Sequence, residues 1–165
     1  MGNPQKVVVL SQCILNQYAV LNGWERADGA FPFVQELVAR HIGMIQLPCP
    51  ELLALGEGRP PLSYADYDGI PGFRKRCRQW LAPVVDQVKA YTGSATTYIG
   101  VIGIHESPNC SLTGQRGVLM EEYLQACARA GLTTRYLEVP TWYSAEKPGD
   151  FTKTVIDFIE NEESE

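Results

Sequence analysis

Residues 96–104 read TTYIGVIGI, and this stretch decides the fold class. It carries no charge and is rich in Thr, Ile, Val and Tyr, the residues that suit a pleated strand. Its apolar positions run together instead of alternating, so the strand is expected to be buried on both faces. Strands of that kind belong to parallel sheets covered by helices on each side. Gly100 and Gly103 within it point to close approach by other backbone.

Downstream of this strand comes a polar loop over 105–117. A helix is expected over Val118–Ala130, stopped by Gly131, followed by a strand over Thr133–Val139 and a final helix over Phe151–Glu160. Upstream, Phe73–Tyr91 has the helical spacing of Trp80, Leu81, Val84, Val85 and Val88, with Pro83 as a point of kinking. Residues 56–72, GEGRPPLSYADYDGIPG, read as a long structureless loop, a length that usually signals function. Before it, Met44–Leu47 reads as a short strand ended by Pro48-Cys49-Pro50. Phe31–His41 reads as a helix with Pro32 in its first turn and Gly43 as its stop. Lys6–Ser11, KVVVLS, reads as another buried strand. The resulting order, β-α-β-α-β-α-β-α, predicts an α/β three-layer sandwich. Its sheet is expected to be mainly parallel, with four or five strands and helices on both faces.

The chain has 165 residues, 45% hydrophobic and 20% charged, which suits one globular domain over 1–165. Only the acidic stretch Glu160–Glu165 is expected to be disordered. The formal net charge of -5 leaves little to draw in phosphates. The basic cluster of Arg74, Lys75, Arg76 and Arg78 reads as a solvated helix face, so no nucleic-acid partner is expected. Residues 1–13, MGNPQKVVVLSQC, do not read as a signal peptide, because the apolar run Val7–Leu10 is broken at Ser11. No stretch approaches the roughly 20 apolar residues of a membrane span, so no membrane partner is expected. A cytoplasmic location follows, where cysteines stay reduced.

Five cysteines in a reducing compartment suggest metal binding or catalysis before disulfides. Cys13, Cys49 and Cys110 each follow an expected strand. In a parallel sheet those positions share one edge, where ligands bind at the reversal of strand order. Cys77 and Cys127 fall inside expected helices and read as packing residues. Three convergent thiols fit a cluster or a soft metal, zinc included, and they also fit a redox or nucleophilic cysteine. Spacing alone leaves these alternatives open.

The residues around the cysteines go further. Cys13 lies in SQCILN, Cys49 in PCPE and Cys110 in SPNC, and together these resemble the three-cysteine pattern of the 2-thiouracil desulfidase family across residues 6 to 116. The resemblance implies a 4Fe-4S cluster on Cys13, Cys49 and Cys110, with an extra sulfide on the fourth iron when sulfur is bound. It implies catalytic roles for Glu51 and Ser107 and a small thiocarbonyl substrate of the thiouracil kind. The first motif differs from the family's glycine-rich one, since Ile14-Leu15-Asn16-Gln17 follow Cys13, and a Tyr67-Asp68-Gly69 stretch comes after Cys49.

The expected activity is desulfuration by net hydrolysis with release of hydrosulfide. An open iron would serve as Lewis acid and sulfur acceptor, and Glu51 would activate water. Asn16, Gln17 and Asp68 are candidate substrate contacts, as their side chains can match a pyrimidine-like edge. Tyr64 and Tyr67 are candidates for stacking on such a ring, and Arg59 and Arg74 for binding an acidic group. His105, next to Glu106, is a candidate hydrogen-bond donor that supports the site's own residues from behind, whereas His41 reads as structural. Two other classes stand beside this one: a non-catalytic cluster-based metabolite sensor, and a cluster-free enzyme in which a cysteine becomes a persulfide.

Overall fold

A computed structural model describes residues 4–161. Four strands, β1 (Gln5–Leu10), β2 (Ile42–Gln46), β3 (Thr96–Ile104) and β4 (Tyr136–Val139), form one sheet in the order β2-β1-β3-β4. Every pairing is parallel. β1 is central: Val9 lies opposite Ile45 of β2 and Val101 of β3. The helices are α1 (Gln12–Leu15), α2 (Val34–Ala39), α3 (Pro50–Leu55), α4 (Tyr64–Asp68), α5 (Phe73–Ala90), α6 (Val118–Arg129) and α7 (Phe151–Glu160), with a single 3-10 turn over Gln17–Ala19.

The pleat of β1 divides the core in two, because successive side chains leave a strand on opposite faces. Val7 and Val9 pack with Phe73, Leu81 and Val85 of α5 and Leu119 and Tyr123 of α6. Val8 and Leu10 pack with Ile14, with Leu37 of α2 and with Val155 and Ile159 of α7. Each fully buried aliphatic side chain of this kind contributes about 1.5–3 kcal/mol of burial energy. The strand order explains the sides. The chain steps outward from β1 to β2, then back across β1 to β3, and right-handed crossovers in opposite directions fall on opposite faces. The expected three-layer α/β sandwich is therefore what forms, with four strands and a wholly parallel sheet. Among the described residues, no helix is long and apolar enough to cross a membrane.

Several local expectations change. The helix expected over Phe31–His41 is confined to Val34–Ala39. Phe31 and Phe33 are instead drawn into an aromatic cluster with Tyr143, at centroid distances of 5.1 and 5.6 Å, and that packing outweighs the helical spacing. Gly43 does not stop the helix. It lies within β2, where a Cβ would stand 3.0 Å from Val7 Cγ1, and His41 makes the turn with a φ of 60°. The long loop over 56–72 contains α4, started by a capping box in which Ser63 and Asp66 each accept from the other's backbone N–H. α5 continues through Pro83. β4 is shorter than expected and begins at Tyr136. In the acidic stretch, Glu160 ends α7, while residues 162–165 lie outside the described residues.

Candidate active site

The switch in strand order falls between β1 and β3, so the crevice there opens beyond Leu10 and Ile104. Cys13 lies in α1, just past β1, and Cys110 in the loop after β3. Cys49 is the N-cap of α3, its Sγ accepting from Leu52 N at 3.4 Å. All three cysteines line one cavity of about 450 Å³, together with Glu51, Arg59, His105, Ser107 and Asn109. None is in a disulfide. Cys77 and Cys127 are buried in the core between α5, α6 and the sheet, away from this cavity.

β3 sets the position of Cys110 through its glycines. A Cβ on Gly103 would stand 2.4 Å from the Cys110 carbonyl oxygen, so only glycine lets the loop fold back over the strand. That return is held by Ile104 N donating to Cys110 O at 2.9 Å. Gly100 plays the same part toward Arg135, whose carbonyl oxygen would lie 2.2 Å from a Cβ at that position. Ser107 shapes the loop from inside. Its Oγ accepts from Asn109 N at 3.3 Å and Cys110 N at 3.0 Å, which leaves its own proton to donate.

Glu51 joins the two later cysteine loops. Its Oε1 accepts from Arg59 Nε at 3.2 Å and its Oε2 from Asn109 Nδ2 at 3.0 Å. The Arg59 side chain is only 2% exposed and also donates to Ala19 O at 2.8 Å. The Glu51 charge acts on all three cysteines. Burial pushes the Cys13 thiol up to about 12, with Cys49 and Glu51 adding to the rise and Arg26 opposing it. Burial likewise raises Cys49 and, further, Cys110. Burial and then Glu51 raise the Tyr67 phenol, whose buried oxygen has no hydrogen-bond partner.

Arg26 also lines the cavity, its Nη1 donating to Pro140 O at 2.8 Å and Tyr143 O at 3.1 Å, with its guanidinium over the Phe31 ring. Sequence reasoning did not find Arg26. It also missed Glu138, the carboxylate near the end of β4. Glu138 Oε2 accepts from Leu112 N at 2.7 Å, Thr113 N at 3.1 Å and Ser111 Oγ at 3.1 Å. Its Oε1 receives the Thr113 hydroxyl and stands 3.2 Å from His105 Nδ1. The available signal was a lone acidic residue at the carboxyl end of an apolar strand, on the edge where the cysteines gather.

The remaining expected site residues are engaged elsewhere and do not line the cavity. Asn16 caps the 3-10 turn, accepting from Tyr18 N at 3.0 Å. Gln17 is buried beneath the site, donating to Cys13 O and accepting from Arg26 N, each at 2.7 Å. Asp68 pairs with Arg74 at 2.7 Å, and Arg74 reaches Glu121 and Glu122 of α6, each at 2.9 Å. Tyr64 joins that same network through Arg74 Nη2 at 2.9 Å. These residues brace loops and helices, since their polar atoms are already matched within the fold.

The donor set fits an iron–sulfur group. Three thiols share the cavity, and two buried polar atoms beside them, Ser11 Oγ and Asn109 Oδ1, have no partner. Among the described residues, no three Cys, His, Asp or Glu side chains converge tightly enough to hold a single metal ion.

Fold and site together define a three-layer α/β protein with a cysteine-lined cavity at the carboxyl edge of its sheet. The chain belongs to the family of the uncharacterized protein MJ0003 of Methanocaldococcus jannaschii, with which it is 36% identical over 137 residues, 82% of this chain and 86% of that protein. No protein-family model matches the chain, and no solved structure does.

Proposed function

We propose that this protein is a cytoplasmic iron–sulfur desulfidase acting on a small thiocarbonyl compound. The observation that carries the reading is the meeting of Cys13, Cys49 and Cys110 in one cavity with Glu51, whose carboxylate is tied to the loops bearing Cys49 and Cys110. The net reaction is hydrolytic: a C=S group and water give a C=O group and hydrogen sulfide, with no external electron. Cys13, Cys49 and Cys110 would hold a 4Fe-4S cluster, which would supply a Lewis-acidic iron for the C=S bond. Ligands of a cluster bind separate irons, so they share a cavity without converging on one point.

The chain's own residues supply the rest. Glu51, fixed by Arg59 and Asn109, is the base that takes a proton from the attacking water. Ser107, its lone pairs engaged by two backbone N–H groups, keeps its hydroxyl proton free to hydrogen-bond the bound substrate and orient it. Val20, Leu21, Leu62 and Trp24 add apolar lining that suits a flat ring. Burial raises the three thiols, the reverse of what an activated nucleophilic cysteine requires.

The test is anaerobic reconstitution followed by iron and sulfide assay and by sulfide release from 2-thiouracil and a panel of thioamides. Iron binding lost in Cys13→Ser, Cys49→Ser and Cys110→Ser, but kept in Cys77→Ser, is expected. Glu51→Ala is expected to keep its iron and lose turnover. An iron-free wild type with full activity would sink the cluster and favour the persulfide route, and an iron-loaded protein that cleaves none of the panel would sink the enzyme reading and favour a sensor.

A further inference from the structure

Glu138 is the most heavily hydrogen-bonded carboxylate at the cysteine edge, and the hydrolytic steps assigned to Glu51 and Ser107 make no use of it. Its side chain is 10% exposed, yet the net shift of its carboxyl is downward. Burial works against the charge, but hydrogen bonds from Leu112 N, the Thr113 hydroxyl, Thr113 N and Ser111 outweigh it and bring Glu138 below the usual carboxylate range. A charged acceptor 3.2 Å from His105 Nδ1 selects the imidazole tautomer that carries its proton there. In the neutral ring that tautomer leaves the lone pair on Nε2. His105 lines the same cavity as the cysteines.

The turn that presents His105 is costly. Ser107 N donates to Ile104 O at 3.2 Å, closing a tight turn with His105 and Glu106 at its centre. Glu106 adopts a φ of 64°, a region that favours glycine and costs another residue about 1–2 kcal/mol. Its carboxylate stands 4.0 Å from His105 Nε2. The two charged groups facing the ring are thus Glu138 at Nδ1 and Glu106 at Nε2. Strain of this kind gathers where the chain must aim side chains at a ligand.

We propose that His105, held by Glu138, is the acid that delivers a proton to the departing sulfur, with Glu138 its positioning residue. The role of the leaving sulfur rests on the desulfidase reading; the His105–Glu138 pair does not. In the balanced step, water loses a proton to Glu51 as its oxygen bonds carbon. The C–S bond breaks with its electron pair on sulfur, the Nε2 proton of His105 forms the S–H bond of hydrosulfide, and the remaining hydroxyl proton leaves to solvent as the C=O group forms. The proton on Glu51 returns to His105 through solvent, so no reductant is consumed. The division into one base and one acid lining the same cavity follows the usual separation of roles in hydrolysis.

The sequence holds two histidines, so His41→Asn leaves a single imidazole to observe. Nitrogen NMR of the metal-free His41→Asn protein is expected to show neutral His105 protonated at Nδ1. Adding Glu138→Gln is expected to shift the tautomer ratio toward Nε2 by about tenfold or more, the loss of a hydrogen bond to a charged group. Finding His105 protonated at Nε2 in the presence of Glu138 overturns the pair, whatever the protein does with sulfur. In the iron-loaded protein, His105→Ala is expected to slow sulfide release from 2-thiouracil about 10²–10⁴-fold, with iron content and KM unchanged and with partial recovery on adding free imidazole. Unaltered turnover in His105→Ala overturns its role as acid. A wild type inert to thiocarbonyls refutes the desulfidase reading and the leaving-sulfur role together, with the NMR result still deciding the pair.

Discussion

Asn109 Nδ2 donates to Glu51 Oε2 at 3.0 Å, and this one bond ties the loop after β3 to the helix after β2. It couples the segments that carry Cys110 and Cys49. Losing it leaves a largely buried carboxylate short of a donor. Asn109→Ala is expected to lower unfolding free energy by about 1.5–3 kcal/mol in urea titration. Asn109→Asp sets two carboxylates against each other and is expected to cost more and to reduce iron retention.

Arg59 makes a sharper case. Its side chain is 2% exposed and Glu51 is its ionic partner. Removing one member of a buried pair strands the other charge. Arg59→Met is expected to destabilise the fold by about 3–5 kcal/mol, whereas Arg59→Met with Glu51→Gln recovers part of that loss. A double-mutant cycle by chemical denaturation measures the recovery.

Gly103→Ala tests the backbone approach beneath Cys110. A Cβ there would stand 2.4 Å from a backbone oxygen and 2.9 Å from Leu112 Cδ1, so the loop must move. The variant is expected to lose most iron binding in reconstitution, even where circular dichroism still reports a folded α/β protein.

The acid limb of stability should carry the mark of Glu138, whose folded carboxyl lies below its ordinary value of 4.5. A depressed value contributes stability that is present above about pH 4.5 and is lost as pH falls through the folded value. Glu138→Gln is therefore expected to be less stable than wild type at neutral pH. The gap should close progressively below about pH 4.5 in acid denaturation.

The thiols act at the other end of the scale. Cys13 rises from 9.0 to about 12 in the metal-free fold. A raised value contributes stability that is fully present below about pH 9 and is lost as pH climbs toward about 12. Metal-free wild type is expected to weaken across that window more steeply than Cys13→Ser. Because ligation requires thiolates, reconstitution should release protons, measurable in weakly buffered solution.

Much of this was open to inspection in the chain itself. The continuous apolar runs at Val7–Leu10 and Thr96–Ile104 specify buried parallel strands, and the polar residues that follow them mark the functional edge. Gly100 and Gly103 already announced close backbone approach. The Ser63-x-x-Asp66 pattern that starts α4 was equally readable, but the Gly and Pro residues around it suggest an irregular loop. By contrast, Asp68 and Arg74 look like ligand contacts in isolation. Only in the fold do they meet each other and the acidic residues of α6.

What the sequence determined by itself was the alternating α/β order, the placing of Cys13, Cys49 and Cys110 after strands, and the separation of Cys77 and Cys127 into helices. These follow from local periodicity, which each segment carries on its own. The tertiary structure decided which polar side chains face the cysteines. Glu138 lies 33 residues from His105 along the chain and Asn109 lies 58 from Glu51. Such pairings arise because the reversal of strand order at β1 brings distant strand ends to one crevice, and hydrogen bonds and charge then choose partners by distance in space.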